Sequence, residues 1–336
     1  SLLLAATAVA VMLLLVLRRI VQERLARRRE ALRAATSAAL LRHLDGSAGA
    51  ADVLRAAAGR ADLVVDLVFQ MRELVRGQDA ERLVAAARAV GGFERALARL
   101  RKRNPPVRAD AVRRLAMFGP DAIPLLRARL RDPSMGVRIA AAIELTGMGA
   151  PPSLEALGDA MQVGDAAYSE DLRRIFRPAV AADPDRAIGM LEDDWTPEAM
   201  RPMLLDGLAQ AGALRALPVV GAQAQTGSPA VRAEALRALA ALGHPGGAPI
   251  VVEAMDDPHW WVRAQAANAA RRIGLADAVE PLRRLLDDEQ WWVRFRAAEA
   301  LCDLGEPGRR ALATAAANED RAGEVSQLVL AEKGLS

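Results

Sequence analysis

A Val-Arg dipeptide returns along the chain at a nearly fixed interval. It stands in NPPVRADAVRRLAMFG (104–119), DPSMGVRIAAAIELTGMG (132–149), SPAVRAEALRALAALG (228–243), DPHWWVRAQAANAARRIG (257–274) and DEQWWVRFRAAEALCDLG (288–305). Val107 and Val137 are 30 residues apart, Val231 and Val262 are 31, and Val262 and Val293 are 31. Between Val137 and Val231 lie 94 residues, room for two degenerate copies centred near Leu172 and Met200, and a last copy follows near Val325. Such a period means one supersecondary unit per copy. A single unit cannot bury its own apolar face, so the copies must stack.

The residues within a copy say what the unit is. Asp or Ser with Pro opens a helix, offering a side-chain oxygen to free N–H groups and a ring where no donor is needed. Apolar residues then recur at helical spacing, as at Val262, Ala266, Ala269, Ala270 and Ile273, and Gly274 closes the helix. A second helix follows, for example over 278–286 with Pro281 in its first turn. Alanine, leucine and arginine dominate while aromatics are 3% of the chain, which suits closely packed helices and argues against a β-sandwich or barrel. The chain has three histidines (His43, His244, His259) and one cysteine, Cys302. No intrachain disulfide and no His/Cys metal cluster can be built from them.

The pattern D-P-x-x-x-V-R-x-x-A-x-x-L-x-x-x-G resembles the HEAT repeat, most closely the short bacterial version shared with bilin-lyase-like (PBS-lyase-like) proteins. The resemblance implies an all-α fold, a right-handed α-solenoid of HEAT-type hairpins, with about eight units over 104–336. Residues 51–103 read as short helices (62–76, 79–90 and 92–103), either divergent repeats or an adaptor. The resemblance also implies a ladder between neighbouring repeats, made by Arg108, Arg138, Arg232, Arg263 and Arg294 with Asp132, Asp257 and Asp288.

Residues Leu2–Leu17 form an apolar run with Thr7 as the only polar member, followed by RRIVQERLARRR (18–29). Charge after the run rather than before it is the order of an uncleaved anchor with its C-terminal side in the cytoplasm, not of a cleaved signal peptide. The reading is therefore a single transmembrane helix over 1–21 preceding the solenoid, a juxtamembrane basic helix over 22–50, and a place in a bacterial inner membrane. Leu3 and Leu14 would face lipid, and Arg18, Arg19, Arg24 and Arg28 the head groups.

Charge is uneven. Residues 18–42 carry eight Arg against two Glu, and residues 94–138 twelve basic against four acidic side chains. Residues 139–336 reverse the sign, with nineteen basic against twenty-nine acidic. An acidic array of this size argues against a nucleic-acid partner. Arg99, Arg101, Lys102, Arg103, Arg113 and Arg114 form a candidate basic surface for anionic lipid or an acidic protein face.

Four of the five tryptophans sit at equivalent positions of adjacent copies: Trp260-Trp261 and Trp291-Trp292. In similar repeats the first of the pair is often aromatic and wedges between units, which implies a packing role for Trp260 and Trp291. Trp261 and Trp292 fall where a charged residue usually stands. Exposed tryptophans concentrate at binding hot spots, so the four tryptophans with His259, Glu289 and Gln290 form the candidate partner-binding edge. No phosphate loop, dinucleotide fingerprint or nucleophile elbow occurs, and Cys302 reads as a buried, inert thiol. No catalytic residue, cofactor or metal is assigned.

These features point to a non-enzymatic, membrane-anchored scaffold that binds a membrane protein or membrane-bound enzyme complex, such as a polysaccharide synthase or glycosyltransferase. Two alternatives come from the resemblance. One is a bilin-lyase-like cofactor handler or enzyme. The other is a nucleic-acid binder like the HEAT-like DNA alkylation repeats.

Overall fold

The computed structural model describes residues 2–161 and 170–335, with the side chains of residues 2–11 and 13 left aside. The described chain is helical, without a strand, and divides into two compact units, Ser1–Glu144 and Leu145–Ser336.

The first unit opens with a long helix, α1 (Leu2–Leu44). It contains no Gly or Pro and is rich in Ala, Leu and Arg, the strongest helix formers. Its last turns pack, burying Thr36, Ala39 and Leu40 against α2 (Ala50–Ala56), α3 (Ala61–Met71) and α4 (Gln78–Ala89). Arg33 reaches Gln70 of α3 at 3.0 Å. The unit continues through α5 (Gly92–Arg99), α6 (Pro105–Ala116), α7 (Ile123–Arg129) and α8 (Met135–Gly147), the last of which crosses into the second unit.

The membrane anchor expected over residues 1–21 is corrected here. Among the described residues no helix is long and apolar enough to cross a membrane. A span needs about 20 consecutive apolar residues. The unbroken apolar run of α1 stops at Arg18, and an arginine-rich stretch with scattered apolar residues follows. The single-pass inner-membrane placement falls with the anchor, as does the transmembrane helix set before the solenoid. Leu14, Arg18, Arg19, Arg24 and Arg28 are all exposed on α1, and the Leu3 side chain lies outside the described residues.

In the second unit α9 (Leu154–Met161) comes first, and the helices then alternate between two layers. One layer holds α10 (Glu170–Ala182), α12 (Arg201–Gln210), α14 (Pro229–Leu242), α16 (Trp260–Ile273), α18 (Trp291–Asp303) and α20 (Arg321–Glu332), each packed on the next. The other holds α11 (Pro184–Glu192), α13 (Leu217–Thr226), α15 (Ala248–Glu253), α17 (Val279–Leu285) and α19 (Gly305–Ala316). The core between them is Leu, Val and Ala at helical spacing: Val231, Leu236 and Leu239 in α14, Val262, Ala266 and Ala269 in α16, Val293, Ala297 and Leu301 in α18. Alanine lets the first-layer helices approach closely, and Gly207 goes further. A Cβ built there would meet Val180 of α10 at 2.7 Å. Gly274 ends α16 with φ +78, the left-handed conformation that closes a helix without a Cβ penalty.

Candidate partner-binding edge

The site is assembled at the starts of the first-layer helices, where the Val-Arg dipeptides lie. Arg232 in α14 reaches across to the loop before α16 and grips Asp257 in two bonds, Nε to Oδ2 at 2.7 Å and Nη2 to Oδ1 at 2.9 Å. Arg263 in α16 repeats this on Asp288, at 2.6 and 3.0 Å. Arg108 in α6 does the same to Asp132, at 2.9 and 2.7 Å. The remaining nitrogen of each arginine turns back on its own loop: Arg232 Nη1 donates to the Gly227 carbonyl, Arg263 Nη1 to that of Asp257, and Arg108 Nη1 to that of Arg103. Forked geometry on a carboxylate is what a guanidinium supplies and an ammonium cannot.

Each aspartate has a second task. Asp132, Asp257 and Asp288 accept the N–H of Ser134, His259 and Gln290, two residues further on, at 2.9, 2.8 and 2.8 Å. They stand before the helix and fold its approach, while His259 and Gln290 occupy the N-cap position itself. Burial works to raise the Asp257 carboxyl, but Arg232 and the His259 N–H hold it below its ordinary value, and Asp132 is held low in the same way by Arg108 and Ser134. Arg294 is buried and keeps the loop half of the pattern, donating to the Asp288 and Glu289 carbonyls. Its Nε has no hydrogen-bond partner among the described residues.

The ladder fixes where the tryptophans go. Trp260, Trp261, Trp291 and Trp292 begin the two helices whose approach loops Asp257 and Asp288 set, and all four are half-exposed, between 36% and 52%. Trp261 and Trp292 are open, in line with the sequence. Trp260 and Trp291 are not the buried wedges that the resemblance implied. Trp260 meets Trp261 edge-on at 5.8 Å, and Trp291 stacks on Phe295, one turn along its own helix, with ring centres 5.0 Å apart and planes 13° off parallel. His259 lies 5.0 Å from Trp261, and Gln290 and Glu289 are exposed beside Trp291. Two aromatic clusters therefore stand one repeat apart on the surface.

The basic candidates are divided by the fold. Arg101, Lys102, Arg103 and Arg113 are exposed. Arg114 is not a free surface cation: it turns inward, pairs with Asp110 at 2.7 Å and Asp66 at 2.5 Å, and lies over the Phe69 ring. Arg99 shares Asp110 at 3.5 Å. Cys302 is buried, and burial pushes its thiol up, away from the thiolate form.

Sequence reasoning missed a charged group in mid-layer. Arg177 of α10 forks onto Asp206 of α12 at 2.7 and 3.1 Å, and Glu234 of α14 is buried with Arg237 at 2.5 Å and Arg173 at 3.8 Å. Burial raises the Glu234 carboxyl despite these arginines. No recurring motif announces these residues, since they do not belong to the Val-Arg pattern.

A two-layer stack of helical hairpins joined by a periodic Arg–Asp ladder defines a helical repeat protein, a class whose extended faces bind partners. The family model for HEAT repeats matches residues 93–172, 186–271 and 248–331, most of the chain, and the protein belongs to the HEAT-repeat family. No curated protein matches the sequence. Among solved structures, a mutant of the karyopherin Kap121p is 15% identical over 82% of this chain and 39% of that one, with a TM-score of 0.48. Importin beta is 14% identical over 94% of this chain and 53% of that one, with a TM-score of 0.46. Human deoxyhypusine hydroxylase is 18% identical over 82% of this chain and 98% of that one, with a TM-score of 0.33.

Proposed function

We propose that this protein is a non-enzymatic scaffold that binds a partner protein through the edge formed by Trp260, Trp261, Trp291 and Trp292, rimmed by His259, Gln290 and Glu289. The observation that carries the reading is the exposure of two tryptophan pairs 31 residues apart on helices whose approach loops are tied by the ladder aspartates Asp257 and Asp288. Large aromatics on a rigid support are what a hot spot requires, because little side-chain freedom is lost on contact. Residues 104–336 serve as the array of about eight hairpins, with 51–103 as divergent repeats or an adaptor. Arg101, Lys102, Arg103 and Arg113 supply a second, basic face for an acidic surface of the partner. No residue described above selects a polysaccharide synthase or a glycosyltransferase as that partner.

The test is purification of the full chain with its partners, wild type beside Trp261→Ala/Trp292→Ala. A stoichiometric protein retained by the wild type and lost from the double variant, with a melting temperature within a few degrees of the wild type, is the expected result. Equal retention by both would sink the assignment of the edge. A tightly bound small molecule in place of a protein would favour the cofactor-handling alternative.

A further inference from the structure

The second unit holds a cleft of about 780 Å³ away from the tryptophan pairs, between the end of α11, the loop that follows it, and α13. Its lining includes Glu192, Asp194, Thr196 and Glu198 on one side and Arg201 and Gln223 on the other. The loop is held rigidly. Arg201 donates to the Leu191 carbonyl and to Gln223 Oε1, both at 3.0 Å, and to the Asp193 carbonyl at 2.9 Å. Gln223 Nε2 donates to the same Leu191 carbonyl at 3.1 Å. The one lining cation is therefore spent on the loop backbone and an amide.

The carboxylates are not. Glu192, Asp194 and Glu198 are exposed, and none of them forms an ion pair among the described residues. Thr196 is different again. It is only 7% exposed, it lines the cleft, and its hydroxyl makes no hydrogen bond among the described residues. Beside it stands Trp195, 91% exposed, turned outward by a tight turn in which Asp193 accepts the Trp195 N–H at 2.9 Å. The cleft thus offers three free carboxylates and an unfilled hydroxyl acceptor, and between two of its lining residues, Asp194 and Thr196, the turn carries an open indole outside the cleft itself.

We infer that this cleft is a second docking site, for an arginine- or lysine-bearing segment of a partner protein. Charge complementarity carries the choice of occupant. Carboxylates accept the N–H groups of a cation, the Thr196 hydroxyl accepts one more, and an indole attracts a guanidinium or ammonium placed over its face. The site is independent of the tryptophan-pair edge, shares no residue with it, and can fail or stand alone.

The experiment titrates the full chain with a short fluorescent arginine-rich peptide at physiological salt, beside the same peptide with citrulline for arginine. Glu192→Gln/Asp194→Asn/Glu198→Gln is expected to weaken arginine-peptide binding at least tenfold. Trp195→Ala and Thr196→Val should each weaken it about threefold, the size of an exposed cation–π contact or one polar contact. A control triple at exposed acids elsewhere in the unit, Asp159→Asn/Asp277→Asn/Glu319→Gln, should leave it unchanged. The acidic and tryptophan side chains altered are exposed, so the variants should melt like the wild type. An equal loss in the control triple would show diffuse attraction and overturn the site. So would equal affinity for the citrulline peptide, undiminished binding by the cleft variants, or no binding of the arginine peptide at all.

Discussion

Removing both members of a ladder rung should cost less than the two single removals added together. Arg232 and Asp257 have side chains only 14% and 8% exposed, joined by bonds of 2.7 and 2.9 Å. In Asp257→Ala the guanidinium keeps the Gly227 carbonyl but loses its carboxylate, and the His259 N–H loses its acceptor. Breaking a buried pair from one side costs about 3–5 kcal/mol. A residual exposure of this size puts the loss near the lower end, about 3 kcal/mol. At roughly 2–4 °C per kcal/mol for a unit of this size, the melting temperature should fall by about 6–12 °C. Arg232→Met/Asp257→Ala leaves no buried charge, so it should be less destabilised than the two single losses together by about 2 kcal/mol. The assay is urea unfolding of the four proteins of the cycle, with amide exchange read in α14 and α16, because a repeat array opens by neighbours. The sign with pH follows. The folded Asp257 carboxyl lies below its ordinary value of 3.8, so its contribution is full above that value and lost as pH falls toward the folded one. The gap between wild type and Asp257→Ala should close in acid. A loss under about 1 kcal/mol at neutral pH, or strict additivity in the cycle, would refute the buried-rung account.

Three further outcomes follow from other contacts. Gly207→Ala should cost about 1–3 kcal/mol by driving a methyl into Val180, and Val180→Ala in the same chain should recover part of it, as thermal melts would show. Glu234→Gln should raise the melting temperature at neutral pH, because a carboxyl whose folded value is raised costs stability as pH climbs above the ordinary 4.5; near pH 4 the two proteins should melt together. Trp291→Ala should remove a stacked partner from Phe295 and cost about 1 kcal/mol, whereas Trp292→Ala, which meets Phe295 edge-on at 6.2 Å, should cost less.

What could be read in the sequence depended on whether period or partnership decided it. The Val-Arg spacing located the helices that start at Trp260 and Trp291 because the same apolar face must recur for units to stack. Helix ends in residues 51–103 were less legible. The helix expected over 62–76 is Ala61–Met71, and the one expected over 92–103 stops at Arg99. No repeat constrains these ends, and the turn at Gly77, φ +63, is set by local backbone chemistry. Arg114 was read as surface because sequence shows charge without showing Asp66, 48 residues away, which faces it. An aromatic at Trp260 or Trp291 can point either way, and Phe295 on the same helix gives Trp291 a stacking neighbour that the repeat pattern does not show. Trp195 was not singled out because it stands in the stretch where the Val-Arg period lapses, although a tryptophan set among Asp193, Asp194 and Glu198 is an unusual neighbourhood.

The two edges of the second unit illustrate how a repeat array separates stability from recognition. In the repeats at Arg232 and Arg263 the arginine and aspartate at the helix starts are engaged by the ladder. Trp261 and Trp292 stand open at those helix starts, on helices that pack against each other and are tied by the rung between Arg263 and Asp288. Where the Val-Arg repeat lapses, Arg201 takes over the task of pinning a loop, and the carboxylates that a ladder would have neutralised remain unpaired around the cleft. In the tryptophan repeats the residues left open at the helix starts are apolar, and around the cleft they are charged. Replacing Asp288, which ties the two tryptophan helices, should disturb partner binding at the tryptophan pairs while leaving the cleft at Thr196 as it was.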